Sequence, residues 1–180
     1  MEETKDRCIR IAITGPESTG KSTLAESLAA HFKGVFIPEY ARTYLEQKPG
    51  KYTLKDVETI ARKSIEISAN FENAADKFLF YDTDLLVCKV WSEFVFGSSS
   101  DWLKEAVKNQ HFDHTFLMDI DLPWQEDPLR EHPHKRRELF EIYKQELIQL
   151  NRPFTIISGL EQERENSAIQ AVTQQFSIQG

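Results

Sequence analysis

The stretch Gly15-Pro-Glu-Ser-Thr-Gly20-Lys21-Ser22 constrains the fold more than any other part of this sequence. It matches the pattern G-x-x-x-x-G-K-[S/T], in which a glycine-rich loop joins a buried strand to a helix and turns backbone N–H groups toward a phosphate. An apolar, β-branched segment, Cys8–Thr14, precedes the motif, and apolar residues recur at helical spacing from Ser22 to Phe32. The sequence therefore predicts a phosphate-binding loop between a first strand and a first helix.

Each residue type in this loop has an expected role in holding a nucleoside triphosphate. The Lys21 ammonium is expected to reach the β- and γ-phosphate oxygens, and the Ser22 hydroxyl to bind Mg²⁺. The residues predicted to contact ATP here are Gly15, Glu17, Ser18, Thr19, Gly20, Lys21, Ser22 and Thr23. ATP and Mg²⁺ are therefore the predicted cofactors.

The rest of the chain alternates short apolar strands with amphipathic helices, which predicts an α/β fold with a parallel sheet covered by helices on both faces. Further strands are expected at Gly34–Pro38, Phe78–Tyr81, Thr115–Met118 and Phe154–Ile157. Helices are expected at Lys55–Lys77, Asp84–Phe96, Asp101–Asn109, Arg137–Leu150 and Glu163–Phe176. The polar stretch 121–134 contains three prolines and no periodicity, so a mobile lid is predicted at about 121–137.

Composition limits the class of protein further. A chain of 180 residues with 40% hydrophobic residues fits a single globular domain, expected to span 1–180. The net charge of −7 argues against a broad nucleic-acid footprint. No apolar run approaches the roughly 18 residues of a membrane span, and the first residues lack a signal-peptide pattern, so a cytoplasmic protein is expected. The Cys8 and Cys88 thiols are expected to be buried and reduced, and His111, His114, His132 and His134 to lie on the surface without zinc.

Two carboxylates follow the third predicted strand. Asp82 lies where a phosphate-loop protein places the acid that binds its magnesium ion. Asp84 is two residues further on, so its side chain faces the same way if the chain stays extended. The alternative for Asp84 is an acidic residue at a helix N-terminus.

A second polar cluster, Pro38-Glu39-Tyr40-Ala41-Arg42, follows the second predicted strand, at the edge where open α/β sheets bind ligands. Glu39 is a candidate acceptor of a hydroxyl proton, Tyr40 a candidate for stacking on a ring, and Arg42 a candidate for holding an anion. The alternative is a helix start with Glu39 near its N-terminus and a surface arginine.

The predicted lid carries Trp124 and Arg130 in a segment with little core of its own. Trp124 is expected to close over a base or ring, and Arg130 to neutralise charge on the transferring phosphoryl group. Lys135, Arg136 and Arg137 follow closely, and a solvated helix end is the favoured interpretation of these three residues.

Four motifs in this order resemble the ribosylnicotinamide kinase domain of NadR-type proteins. They are Gly-Pro-Glu-Ser-Thr-Gly-Lys-Ser (15–22), Pro-Glu-Tyr-Ala-Arg (38–42), Asp-Thr-Asp (82–84) and Asp-Leu-Pro-Trp-x-x-Asp-x-x-Arg (121–130). The resemblance implies a P-loop NTPase three-layer fold with a five-stranded sheet of order 2-3-1-4-5 and a helical lid. It also implies that residues 158–164, including Gly159 and Arg164, lie beside the adenine of ATP.

The resemblance further implies that nicotinamide riboside is the small-molecule substrate, phosphorylated on its ribose 5′-hydroxyl by Mg-ATP. Glu39, Asp84 and Asp82 all remain candidates for the base. A kinase for another nucleoside or small alcohol and a regulatory nucleotide-binding ATPase are the alternative functions. Spacing alone does not choose between ATP and GTP or indicate an oligomeric state.

Overall fold

Five parallel strands form the centre of the computed structural model, which describes residues 7–73, 75 and 77–176. The strands are β1 (Ile9–Thr14), β2 (Val35–Ile37), β3 (Phe78–Asp82), β4 (His114–Met118) and β5 (Phe154–Ile157). Their order across the sheet is β2-β3-β1-β4-β5, and every neighbouring pair is parallel. The predicted P-loop topology and strand order are therefore confirmed.

Seven helices connect the strands and cover the sheet within the described residues. They are α1 (Lys21–His31), α2 (Tyr40–Gln47), α3 (Leu54–Glu72), α4 (Leu85–Phe96), α5 (Asp101–Asn109), α6 (Arg136–Gln149) and α7 (Glu161–Gln175). On one face, buried residues of α1 and α7 pack with Ile11 and Ile13 of β1. On the other face, a larger apolar cluster joins α3, α4, α5 and α6. Successive side chains of a strand point to opposite faces of the sheet, so one sheet packs against both layers of helices.

Two helices differ from the sequence-based expectations. Helix α3 ends at Glu72 rather than at Lys77, which lies directly before β3; the expected helix also included Ala74 and Asp76, which are outside the described residues. Its start is fixed by a capping box in which Thr53 and Asp56 bond to each other's backbone N–H groups. Helix α2 was foreseen only as a possible helix start; it is short, and none of its residues is fully buried.

One histidine prediction is wrong. His114 is the first residue of β4, is 7% exposed, and its Nε2 lies 2.9 Å from the Thr155 hydroxyl of β5. The strand begins one residue earlier than predicted, which carries this imidazole into the sheet. Cys88 is buried as expected, and Cys8 is half-buried.

The chain between β4 and α6 crosses the carboxyl edge of the sheet without regular secondary structure. Residues 119–135 form only turns and bends, and the helical part of the predicted lid begins at Arg136. We call residues 121–137 the lid segment. None of the helices in the described part of the chain combines the length and apolar character needed to cross a bilayer.

Candidate active site

The loop between β1 and α1 has the backbone geometry of an anion cradle. Gly15 and Gly20 have φ angles of +135° and +77°, and a Cβ at Gly15 would lie 3.1 Å from the Met118 carbonyl oxygen. The Thr19 hydroxyl and the Lys21 ammonium each donate to the Pro16 carbonyl oxygen at 2.8 Å, which closes the loop on itself. No side chain of the described residues caps the start of α1. The first N–H groups of that helix are therefore available to a phosphate.

Lys21 lies at the centre of an ionic cluster formed by the ends of three strands. Burial lowers the pKa of its ammonium, and the carboxylates of Glu39 and Asp82 oppose that shift. Burial also raises the pKa of Glu39, and Lys21 opposes that rise. The structure thus brings together three residues that are distant in sequence: Glu39 lies 18 positions after Lys21, and Asp82 lies 43 positions after Glu39. The segments that follow β1, β2 and β3 therefore bring these three side chains close together.

Asp82 and Ser22 form a donor set that fits a magnesium ion. Asp82 is 5% exposed, and its Oδ1 has no hydrogen-bond partner among the described residues. Burial raises the pKa of Asp82, and hydrogen bonding from Ser22 opposes the rise. One hydroxyl and one carboxylate, completed by phosphate oxygens and water, are typical Mg²⁺ ligands. Within the described residues no group of three or more His, Cys, Asp or Glu side chains is placed to hold a metal ion.

Glu39 is both the N-cap residue of α2 and a residue of the site. The structure therefore agrees with both interpretations of this position, a helix start and a side chain available to a ligand. Its backbone is extended, and its half-buried side chain lines the main cavity beside Lys21. The Glu39 backbone also bonds to the Asp82 carboxylate, which lowers the pKa of Asp82. The start of the helix thus places the Glu39 side chain in the wall of the main cavity.

The main cavity has a volume of about 1280 Å³, and beside the phosphate loop its wall contains two sets of residues, which we call the aromatic arm and the β5 arm. The aromatic arm is lined by Val87, Val90, Trp91, Phe94, Leu139 and Tyr143 of α4 and α6. The other arm, toward β5, is lined by Leu160, Glu161, Gln162, Glu163 and Arg164. Ligand sites commonly measure about 300–1,000 Å³, so this cavity has room for a nucleotide and a second small molecule.

The aromatic arm contains residues that the sequence analysis did not assign to the site. The helical spacing of Trp91 suggested a core residue, and Phe94 was given no role, yet both are half-buried and line the cavity from α4. The Trp91 indole is fixed by donating from Nε1 to the Tyr52 hydroxyl at 3.0 Å. One sequence signal could have identified these residues. Helix α4 follows directly after Asp82 and Asp84, which were already candidate site residues, so its aromatic side chains were candidates to line the same site.

Three predicted substrate contacts are not brought to this cavity. Tyr40 packs against Tyr44 and lines a smaller cavity of about 40 Å³ between α2, β3 and α4. Trp124 lies beside the Arg136 guanidinium, 5.8 Å from the ring centroid, and is not part of the cavity wall. Neither side chain is part of the wall of the main cavity. The sequence showed neither the phase of the helix that carries Tyr40 nor the backbone course around Trp124.

Asp84 is the third such residue. Its side chain is fully buried, pairs with the Arg152 guanidinium at 2.9 Å and accepts a hydrogen bond from the Thr14 hydroxyl at 3.2 Å. It occupies the N-cap position of α4, as the alternative interpretation stated. Its contacts are those of a structural ion pair rather than of a group facing a substrate.

Arg42 and Arg130 both line the cavity, as expected of candidate anion ligands. Arg42 pairs with Asp127 of the lid segment, with 3.0 Å between Nη2 and Oδ2, so its charge is already partly matched. Arg130 donates to the Gln125 carbonyl oxygen at 2.7 Å, and its Nη1 lies 3.5 Å from the Ser18 hydroxyl. Of the two, Arg130 is nearer the phosphate loop.

Arg164 lines the β5 arm of the cavity and also binds the surrounding backbone. It is 4% exposed and donates to the carbonyl oxygens of Thr19 at 2.9 Å and Gly159 at 3.0 Å. It also forms an ion pair with Asp121. Burial lowers the pKa of Arg164, and Asp121 opposes that shift. Arg164 therefore ties the phosphate loop to the segments after β4 and β5, whereas Gly159 is not part of the cavity wall.

This topology, the glycine-rich loop and the charged cluster define the class: a P-loop nucleotide-binding protein with the fold of nucleoside kinases. The chain belongs to the family described as AAA domain, whose model matches residues 10–164.

The chain is similar to two curated relatives named trifunctional NAD biosynthesis/regulator protein NadR. Those of Escherichia coli K12 and Salmonella typhimurium LT2 are each 29% identical over 124 residues, covering 67% of this chain and 30% of the relative. The chain thus spans about a third of the length of these relatives. The resemblance to NadR-type proteins is confirmed.

Solved structures show the same fold. A NadR protein in complex with NR has a TM-score of 0.81 at 19% identity, over 97% of this chain and 53% of that one. A NadR protein in complex with NAD and AMP-PNP has a TM-score of 0.78 at 20% identity, over 97% and 51%. A thymidylate kinase from Ehrlichia chaffeensis has a TM-score of 0.65 at 13% identity, over 92% of this chain and 98% of that chain. At these identities the likeness concerns the fold alone.

Proposed function

We propose that this chain is a kinase that transfers the γ-phosphoryl group of ATP to the ribose 5′-hydroxyl of nicotinamide riboside. The observation that carries the proposal is the cluster of Lys21, Glu39 and Asp82, in which Lys21 and Glu39 line the main cavity and Asp82 is a buried carboxylate close to Lys21. A donor nucleotide in the β5 arm and an acceptor in the aromatic arm would meet at this cluster. The resemblance to NadR motifs and the NadR structure with NR support the choice of acceptor.

The proposed transfer is an in-line displacement at the γ-phosphorus. The acceptor oxygen forms the new P–O bond, the bond to the bridging β–γ oxygen breaks, and ADP leaves with that electron pair. Glu39 accepts the hydroxyl proton, since its carboxylate lines the cavity and its raised pKa makes it a better proton acceptor than a free glutamate. Lys21 and Arg130 stabilise the charge on the phosphoryl oxygens.

Ser22 and Asp82 are the proposed protein ligands of Mg²⁺, which neutralises phosphate charge when bound. The indole of Trp91 and the ring of Phe94 are proposed to enclose the flat base of the acceptor, because both line the apolar arm. Lid closure over residues 121–137 is proposed to exclude water from the reacting phosphoryl group. A kinase that uses the cellular ATP pool is proposed to act in the cytoplasm.

The test is a transfer assay with Mg-ATP and product identification by mass. The acceptors are nicotinamide riboside, uridine, thymidine, deoxyadenosine and thymidine monophosphate, with a reaction lacking acceptor. We expect product with nicotinamide riboside, and a loss of at least about 100-fold in kcat for Lys21→Ala because a transition-state contact is removed. Lys108→Ala, an exposed lysine on α5, is the matched control and should keep full activity.

Each other outcome has a distinct meaning. Product with a different acceptor only would replace nicotinamide riboside and keep the kinase. Hydrolysis of ATP at one rate with or without every acceptor would favour a regulatory ATPase. Equal kcat for wild type and Lys21→Ala would contradict the assignment of the phosphate loop itself.

A further inference from the structure

Glu17 of the phosphate loop contacts the lid segment rather than the loop alone. Its carboxylate oxygen Oε2 accepts hydrogen bonds from two consecutive backbone N–H groups, those of Glu131 at 3.1 Å and His132 at 3.2 Å. A carboxylate that accepts two backbone N–H bonds makes a strong, charge-assisted contact. The side chain expected to help bind the nucleotide is thus engaged by residues more than 110 positions away.

The next loop residue holds the other end of the same stretch. The Ser18 hydroxyl accepts from the Gln125 N–H at 2.8 Å, and the Ser18 carbonyl oxygen accepts from Arg136 Nη1 at 3.2 Å. Arg130 lies between these two attachment points, and its guanidinium donates to the Gln125 carbonyl oxygen. The loop therefore fixes the backbone on both sides of Arg130.

We propose that Glu17 is a positioning residue that latches the lid segment to the phosphate loop and so holds Arg130 over the site of phosphoryl transfer. The proposal rests on the kinase function proposed above. Holding a charged group in its reactive position removes the entropic cost of placing it at each turnover. The two N–H donors also reduce the repulsion between the Glu17 carboxylate and an anionic nucleotide.

Two further contacts hold the lid segment independently of Glu17. Arg42 of α2 pairs with Asp127, and the Tyr52 hydroxyl donates to the Glu131 carboxylate. These contacts remain when Glu17 is replaced. Loss of the latch is therefore expected to loosen the lid locally and to leave the fold intact.

The first measurement is hydrogen–deuterium exchange of the backbone amides in 121–137, which needs no enzymatic activity. In Glu17→Ala we expect about tenfold faster exchange at Glu131 and His132, because each amide loses a charged acceptor. Glu17→Gln keeps an oxygen that accepts both bonds and should exchange like wild type. Glu126→Ala, at an exposed lid carboxylate, is the matched control, and unchanged exchange in β1 and β4 reports an intact fold.

The second measurement is steady-state kinetics with the acceptor found in the transfer assay. We expect Glu17→Ala to lower kcat by about 10- to 100-fold and to change the KM for ATP by less than about threefold, because the contact to Arg130 matters most in the transition state. Glu17→Gln should restore kcat to near the wild-type value.

Three outcomes would overturn the proposal. Wild-type exchange in Glu17→Ala would mean that the latch does not protect the lid, and an unchanged kcat with faster exchange would mean that it does not position Arg130. Equal defects in the Gln and Ala variants would assign the effect to charge instead. If the wild-type protein phosphorylates no acceptor, the proposed function is wrong. The exchange measurement still tests whether Glu17 holds the lid segment, because it needs no enzymatic activity.

Discussion

Lys21, Glu39 and Asp82 share one partly buried cluster, and each modifies the charge state of the others. Burial disfavours every one of these charges, while the opposite signs of the lysine and the carboxylates keep them compatible. Two carboxylates near one ammonium leave the cluster short of positive charge. A bound magnesium ion would supply that charge, while Arg130 serves the phosphoryl oxygens.

The raised pKa of Glu39 leads to a testable pH dependence. A carboxyl with a raised pKa takes up its proton at a higher pH than free glutamate, and the protonated form cannot accept the substrate proton. We therefore expect kcat/KM to be full above the raised pKa and to fall as the pH drops through it, with that fall above the ordinary range near 4.5. The measurement is a kcat/KM profile at saturating Mg²⁺, where protonation of Asp82 is masked.

Glu39→Gln should be slow at every pH and lose this limb, whereas Glu46→Gln, on the exposed part of the same helix, should reproduce the wild-type profile. A wild-type limb that persists in Glu39→Gln would assign the base to another carboxylate.

For single residues, the sequence predicted the position of a side chain where a motif fixes the conformation of the backbone. The motif Gly15–Ser22 gives each side chain a defined place in a loop, so the contact between Lys21 and the acids at the strand ends could be expected. Tyr40 and Trp124 carry no such constraint. The direction of the Tyr40 side chain depends on the phase of α2, and that of Trp124 depends on turns in the lid segment. No periodicity in the sequence indicates either one.

Among the secondary-structure elements, the start of α4 is joined to the segment before β5 by one buried ion pair. The Arg152 guanidinium bonds to Asp84 and to the backbone carbonyls of Val107 and Gln110, which connects α4 and α5 to the sheet edge. The side chains of Arg152 and Asp84 are 8% and 0% exposed. Such a pair is costly to break because the remaining charge loses its partner inside the protein.

We expect Asp84→Ala to lower the free energy of unfolding by about 3–5 kcal/mol, measured by urea denaturation. The double variant Asp84→Ala, Arg152→Leu should recover part of this loss, since no unpaired charge remains. Glu105→Ala, on the exposed face of α5, is the control and should leave stability unchanged. Wild-type stability together with abolished transfer in Asp84→Ala would instead make Asp84 part of the chemistry.

The secondary structure itself was largely predictable, because long apolar stripes identify buried helices and short β-branched runs identify buried strands. Helix α2 was the exception: its eight residues contact the core with one side only, and none is fully buried. The sequence therefore indicated the motif at 38–42 more clearly than it indicated α2, the helix on which most of that motif lies.

On the scale of the whole molecule, both arms of the cavity are built from distant parts of the chain. A nucleotide would contact the β1 loop and the start of α7 together, so it binds only the folded protein. We expect Mg-AMP-PNP at 100 times its Kd to stabilise the fold by about 2.7 kcal/mol, seen as a rise in Tm. Lys21→Ala should lose most of this rise and Lys108→Ala should keep it. No rise with any magnesium nucleotide would contradict nucleotide binding.

Arg164 also has a consequence for the order in which this protein matures. The phosphate loop is synthesised well before α7, but its Thr19 carbonyl oxygen is held by a guanidinium 145 residues later in the chain. Contacts between such distant residues form late, because a long loop must close first. A chain still emerging from the ribosome therefore carries the complete glycine-rich motif well before that motif is held in shape. Nucleotide capture by this protein should mark the end of its folding rather than assist its beginning.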